Sequence, residues 1–376
     1  MQFRLNELQQ QLENSVQRFA QDHQGIESWR SAAREQGAFR EETWARMAEM
    51  GWLGAALPEQ FGGMELGARE TAIIMEGVGS ALLLEPYWST AVFGARILMA
   101  AATLQQQQQW LPDIADGSLR LAVALTEPGA GHDWTHPGCE ARQDGEGWRI
   151  SGKKIAVLDG AVAQRLLVLA RTEDADHAIF CINAHAEGVE RHDAISLDER
   201  HCSDYVFSNV RAADGERLNA DVLVFPAIQQ AMDHAMVALA AESVGAMSAV
   251  LRSTVEYLKT RKQFGKPLSE FQALRHRVAD MLMATEQTRS LVLMAANTLD
   301  AGSPHASRLA EAAKIQAGQA GRFVGENAVQ LHGGIGVTDE LLVGHYFKRL
   351  LCIDLLLGDS AWHLQRFSAT DPQLSE

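Results

Sequence analysis

Two short segments carry the residue types best suited to chemistry. The first runs Tyr257-Leu-Lys-Thr-Arg261-Lys-Gln-Phe264-Gly-Lys-Pro-Leu-Ser-Glu-Phe-Gln272. The second begins about sixty residues after the first ends and reads Gln330-Leu-His332-Gly333-Gly334-Ile-Gly336. A guanidinium offers a rigid fork of donors that fits phosphate oxygens and never deprotonates. A glycine pair lets the main chain come close to a ligand. Alone, Arg261 reads as a surface salt-bridge arginine, and His332 as a positional residue of the Gly-rich turn. The weight lies in the two segments occurring together and in order.

The elements that must position these residues fall into three textures. Residues 1–118 read as helices: Leu5, Leu8, Leu12, Val16 and Phe19 recur at three- and four-residue steps, which predicts one apolar helical face. Glu42–Met50 and Thr71–Leu83 are further helical candidates, and the run Gln105–Gln109 reads as the wet side of a short helix. Residues 119–224 are β-rich. Leu121–Leu125, Trp148–Ile150, Leu166–Leu169, Ala178–Ile182 and Tyr205–Phe207 are separated by turn formers, which predicts a β-barrel or sandwich. Residues 225–376 return to long helical patterns, at 228–260, 270–301 and 307–331, which predict a long-helix bundle.

Bulk properties bound the function. The chain has 376 residues, enough for two or three cores, and is 47% hydrophobic and 22% charged. A net charge of −15 argues against a nucleic-acid partner, which needs a basic footprint. No basic run suggests a membrane surface, Met1–Glu7 opens no apolar leader core, and the apolar stretch Ala235–Val250 is interrupted by Glu242 and falls short of a membrane span. The four cysteines are scattered without a C-x-x-C pair, so no disulfide framework or metal site is expected. A soluble, cytoplasmic protein is expected.

The paired segments resemble the flavin-contacting signature of the acyl-CoA dehydrogenase family, and the helical, β, helical order resembles that family's fold over nearly the whole chain. The resemblance implies an α+β multidomain protein: an N-terminal helical domain, a middle β-barrel or sandwich and a C-terminal four-helix bundle. It implies FAD as cofactor, an acyl-CoA thioester as substrate and an electron-transfer flavoprotein as electron acceptor. Carried over by position, Arg261 reaches the FAD pyrophosphate, Phe264 walls the nucleotide, and Gln272 hydrogen-bonds it. Gln330, Gly333 and Gly334 form the close backbone approach, all toward a neighbouring subunit's flavin.

Leu125-Thr126-Glu127-Pro128-Gly-Ala-Gly131-His132-Asp133 resembles the family's loop at the polar edge of the flavin ring, with contacts from Leu125 and Thr126. Several departures stand out, the first being His132 where the family usually keeps a serine. Ala156 and Leu158 occupy the positions of the aromatic that covers the flavin and the hydroxyl that bonds its reactive nitrogen. Leu357 stands where the family keeps its catalytic glutamate, and the alternative home of that base falls on Ala235, with Met236 where an arginine is usual.

Asp359, two residues from the usual base, is the proposed substitute, with a helix-start cap as its other reading. Asp233 and His234 flank the alternative site, but adjacent helical positions differ by about 100° in direction, so they read as solvated or structural. Glu242 is expected as a buried partner for a bundle arginine.

Segments such as Met75–Gly79, Glu85-Pro86, Gly344–Arg349 and Leu357–Asp359 resemble the small subunit of the bacterial pimeloyl-CoA dehydrogenase type. That resemblance implies a homo- or hetero-dimer or tetramer with a larger dehydrogenase subunit, in fatty-acid or sterol side-chain catabolism. Each flavin of a two-fold dimer uses both chains, so one chain can lose its own pocket and still complete its partner's. The alternatives are an active homo-oligomer using Asp359 and a related flavin oxidase or oxygenase.

Overall fold

An apolar stripe at helical spacing opens the chain, and it closes into α1, Glu7–His23. The computed structural model describes residues 4–23, 25–173, 176–219 and 221–369, so the start of the segment read for a leader lies outside the described residues. Val16 and Phe19 are buried as expected, Ala20 joins them, and Leu8 is exposed. Gln9 takes the inward position instead, because its amide donates to the Glu70 carboxylate at 2.7 Å.

The next helices are α2 (Ile26–Arg34), α3 (Glu41–Glu49), α4 (Ala68–Ala81), α5 (Ala95–Ala101, entered through a π-helical stretch at Trp88–Gly94) and α6 (Leu104–Ala115). In α6 the glutamine run is not uniformly wet. Thr103 and Gln106 form a capping box, and the buried Gln106 amide donates to the carbonyls of Gly215 and Arg217 at 2.9 and 2.6 Å.

The middle region forms one seven-stranded sheet: β1 (Leu121–Ala124), β2 (Glu140–Asp144), β3 (Gly147–Leu158), β4 (Arg165–Arg171), β5 (His177–Asn183), β6 (Val189–Ile195) and β7 (His201–Ala213). Its order is β1-β4-β2-β3-β7-β6, with β5 paired to β4. The five apolar runs each fall within or across a strand. The polar β2 and the exposed β6 carry no apolar alternation, which is why the sequence does not announce them.

The helical part follows as α7 (Val224–Thr260), a two-stranded hairpin of β8 (Lys262–Gln263) and β9 (Lys266–Pro267), α8 (Gln272–Asp300), α9 (Ala306–His332), α10 (Leu342–Leu355) and α11 (Ser360–Ala369). The helix α7 corrects the reading of Ala235–Val250. At 37 residues it is long and apolar enough to cross a bilayer, but 89% of its most apolar window is buried within the protein, the composition of a core helix.

By packing, the chain divides into a helical unit (Met1–Ser31, Gly67–Leu83, Met236–Glu376) and a sheet unit (Ala32–Leu66, Leu84–Ala235). In the helical unit α4 and α7 cross with their backbones in contact: a Cβ on Gly79 would collide with the Glu242 carbonyl, and one on Gly245 with the Glu76 carbonyl. The Asp300 carboxylate accepts the Ala68 and Arg69 amides at the start of α4. Glu242, as expected, is a buried partner: both its oxygens accept from Arg349, at 2.7 and 2.8 Å, with the two side chains 1% and 2% exposed.

Candidate active site

In the helical unit the two signature segments lie at the C-terminal ends of α7 and α9. The Tyr257 ring stacks on that of His332 with centroids 4.5 Å apart, which joins the two ends. The His332 ring is buried and its Nδ1 lies 2.9 Å from the Ala328 carbonyl, a positional role. Four residues beyond Tyr257 is Arg261, exposed, with its amide closing α7 onto the Tyr257 carbonyl at 2.8 Å.

The hairpin that follows turns at Phe264 and Gly265, both at positive φ (54° and 81°). Two consecutive left-handed residues suit the tight hairpin turns whose twist matches the strands. The turn thrusts Phe264 out at 91% exposure, touching the Phe271 ring edge-on at 6.2 Å. Gln272, the exposed first residue of α8, stands just beyond.

On α9, Gln330 is exposed and Gly333 ends the helix at φ 64° and ψ −144°, a conformation that essentially only glycine adopts. The Gly333 amide is donated to the carbonyls of Val329 and Gln330. Its contribution to a close approach is therefore the missing side chain, not a free N–H. Around Gly333 and Gly334 a Cβ would meet nothing within 4 Å.

The turn between α10 and α11 is built differently. Leu357 is half-buried at φ 58° and Gly358 follows at φ 106°, where a Cβ would strike the Trp362 ring. Lys314, buried on α9, donates to the carbonyls of Asp354 and Gly358 at 2.6 and 2.7 Å. Burial pulls its ammonium down to about 8, against the pull of Asp354 and Asp359. The Asp354 carboxylate accepts the Ser360 amide, and the His363 Nε2 lies 3.0 Å from the Leu357 carbonyl. Asp359 accepts the Trp362 amide at 2.7 Å, the bond of a helix cap at the start of α11.

In the sheet unit the Thr126 loop is clamped from below. Lys154, fully buried, pairs with Glu127 at 2.6 Å and donates to the Leu125 carbonyl at 3.2 Å. Glu127 in turn accepts the amides of Gly138 and Cys139, and the Ile155 amide donates to the Thr126 carbonyl. The Thr126 side chain is left at the surface. Ala156 sits exposed at φ 51° where the β3–β7 register slips, and Leu158 is half-buried. Of its two readings, solvated or structural, Asp233 takes the structural one: it is buried and accepts from Gln229 at 2.8 Å. Burial, helped by the charge of Arg96, pushes the His234 imidazole down to about 3, too weak a base to take a proton from carbon near neutral pH.

The three domain models of the acyl-CoA dehydrogenase family match this chain in order: N-terminal domain over residues 6–118, middle domain over 122–210 and C-terminal domain over 225–369. The chain belongs to the acyl-CoA dehydrogenase family. It is 35% identical over 319 residues to acyl-CoA dehydrogenase fadE12 of Mycobacterium bovis, covering 80% of this chain and 79% of that protein.

Among solved structures it resembles a variant of the Tcur3481–Tcur3483 steroid ACAD, with TM-score 0.88 and 33% identity over 96% of this chain and 97% of that one. It also resembles the ChsE4–ChsE5 complex from Mycobacterium tuberculosis, with TM-score 0.89 and 26% identity over 99% and 100%. Acyl-CoA dehydrogenases are FAD-dependent oxidoreductases, and another relative, PigA, is solved with FAD and proline at 25% identity.

The residues present fit the dinucleotide half of FAD better than its ring. The ends of α7 and α9 offer an exposed arginine, an exposed aromatic and a glycine turn with open space around it. Arg261, Phe264, Gln272, Gln330, Gly333 and Gly334 would hold that half. Ala156 and Leu158, at the positions expected to face the ring, present no aromatic and no hydroxyl. The Lys154–Glu127 clamp and the Lys314 tie bear on the site without having been singled out. Both halves of the clamp stand inside the matched motifs, whereas Lys314 lies in an alanine-rich helical run that gives no signal.

Proposed function

We propose that this chain is the flavin-completing subunit of a heteromeric acyl-CoA dehydrogenase and does not itself remove the α-proton. The observation that carries this reading is an asymmetry. The groups suited to a neighbour's FAD stand exposed at the ends of α7 and α9, while the base position is Leu357 and its nearest carboxylate, Asp359, caps α11. The two solved relatives above are each named as a pair of different proteins, which supports a partner of the same family.

FAD, when bound, would supply the acceptor for the β-hydride of an acyl thioester, and the α-proton would need a carboxylate to take it. In that assembly Arg261 would neutralise pyrophosphate charge, Phe264 would shield the nucleotide from water, and the Gly333–Gly334 turn would admit it. Leu357 and Ala235 take no proton, so the partner supplies the base. An acyl-CoA thioester is the substrate class, and a sterol side-chain thioester follows the named steroid relative.

The test is an anaerobic visible spectrum of the chain expressed alone and co-purified with its partner, each titrated with a panel of acyl-CoA thioesters. Little flavin in the isolated chain and bleaching only in the complex is the expected result. A yellow isolated chain that bleaches with one thioester would overturn the proposal.

A further inference from the structure

Away from the residues assigned to the flavin and to the Leu357 turn, α1, α4, α7 and α8 line a cavity of about 610 Å³ in the helical unit. That volume falls within the range of small-molecule sites, roughly 300–1,000 Å³. Its walls are sorted by chemistry. Val16, Ala20, Ile73 and Leu293 give it an apolar side. Deeper in, Glu76 and Arg289 form an ion pair, and Arg289 also donates to the Ser248 hydroxyl at 2.9 Å. Burial raises the Glu76 carboxyl while Arg289 pulls it back down. This pair neutralises itself.

Arg252, which also lines the cavity, differs. Its guanidinium is exposed, and the hydrogen bond it makes among the described residues is to the Ser80 hydroxyl, at 3.3 Å. It has no carboxylate within ion-pair distance among the described residues, in a chain of net charge −15. Glu13, a carboxyl side chain in the same wall, disfavours a ligand carrying several negative charges.

We propose that this cavity is a binding site for an organic monocarboxylate with an apolar body, of the medium-chain fatty-acid class. Its carboxylate pairs with the Arg252 fork beside the Ser80 hydroxyl, and its chain lies against Val16, Ala20, Ile73 and Leu293. Glu13 makes the site a poorer match for a coenzyme A group, with its several phosphate charges. The site is separate from Arg261: Arg252 lies on α7 nine residues before it, and Arg261 is the first residue after the helix ends at Thr260, about 13 Å along the axis. The inference stands independently of the subunit reading.

The experiment is calorimetric titration of the full chain with sodium decanoate, against decanol and decyltrimethylammonium as neutral and cationic controls. Single-site binding of decanoate is expected. Two variants probe opposite walls: Arg252→Gln removes the cation, and Gln17→Trp fills the cavity from α1. Both replace exposed side chains, so both should fold, which circular dichroism checks. Each should weaken decanoate at least tenfold, and a diazirine decanoate should label peptides from α1, α4 or α8. Absence of saturable binding, binding unchanged in both variants, equal binding of decanol, or labelling confined to other helices would each overturn the site.

Discussion

The ends of α7 and α9 and the turn between α10 and α11 belong to the same helical unit, yet they are finished in opposite ways. At the first, Arg261, Phe264, Gln272 and Gln330 stand in water, and the described contacts among them are few. At the second, almost every polar group is tied to another: Lys314 to two carbonyls, Asp354 to Ser360, Asp359 to Trp362, His363 to the Leu357 carbonyl. A large aromatic on an exposed, positive-φ turn earns nothing from this chain's own fold, so its role lies with something that covers it. A turn whose carboxylates are all engaged in caps has none in reserve for catalysis. Leu357 nevertheless keeps a left-handed backbone, which costs a non-glycine residue about 1–2 kcal/mol.

The sharpest way to break this contrast is to set a buried tie against an exposed group. Arg349 fixes α10 to α7 through Glu242, and Arg349→Leu leaves that carboxylate buried without its cation. A loss of about 3–5 kcal/mol is expected, read as a lower urea midpoint at unchanged slope. Arg261→Ala should leave the midpoint where it was, since exposed substitutions of this kind stay within about 0.5 kcal/mol. In the assembled complex the same variant should weaken FAD binding about 10- to 100-fold, the worth of a charge-assisted bond of about 1.5–3 kcal/mol. FAD retention unchanged by Arg261→Ala would remove the main support for the subunit reading.

A smaller effect separates a cap from a base. Asp359→Ala should cost about 0.5–2 kcal/mol of stability by freeing the Trp362 amide, and Asp359→Asn much less, because asparagine caps as well as aspartate. Neither should alter turnover of the complex once folding is matched. If Asp359→Asn lowered kcat a hundredfold at full stability, Asp359 would be the displaced base and the chain an active enzyme.

How far the sequence foretells this molecule depends on what each residue answers to. The long helices were legible because a 3.6-residue stripe is strong over 25 residues or more, as in α7, α8 and α9. β6 was not, because its exposed residues leave no alternation to read. Glu242 was legible as a lone acid in an apolar helix, and its partner could be guessed by type though not by number. The candidate site was legible as a set of positions, from motif spacing. Its physical character was not. That the Gly333 amide is already used, that Lys154 clamps the Thr126 loop and that Lys314 ties the Leu357 turn are facts of contacts 27 to 44 residues apart in sequence for the two lysines.

Phe264 gives the finest cut between the two regions. With 91% of its surface in water, truncating it removes almost no burial from the isolated chain, so Phe264→Ala should leave the melting temperature unchanged to within a degree or so. Its positive φ makes Phe264→Gly the informative companion: glycine adopts that turn without strain and should, if anything, stabilise the hairpin by a few tenths of a kcal/mol. Both variants should nonetheless weaken FAD retention in the complex, and by the same factor, because both lose the ring and keep the turn. Weakening by alanine alone would mean that the turn geometry, not the aromatic, is what the nucleotide meets. Loss of stability in the isolated chain would show that Phe264 packs against its own protomer after all, and the contrast between the two regions would fail at its clearest point.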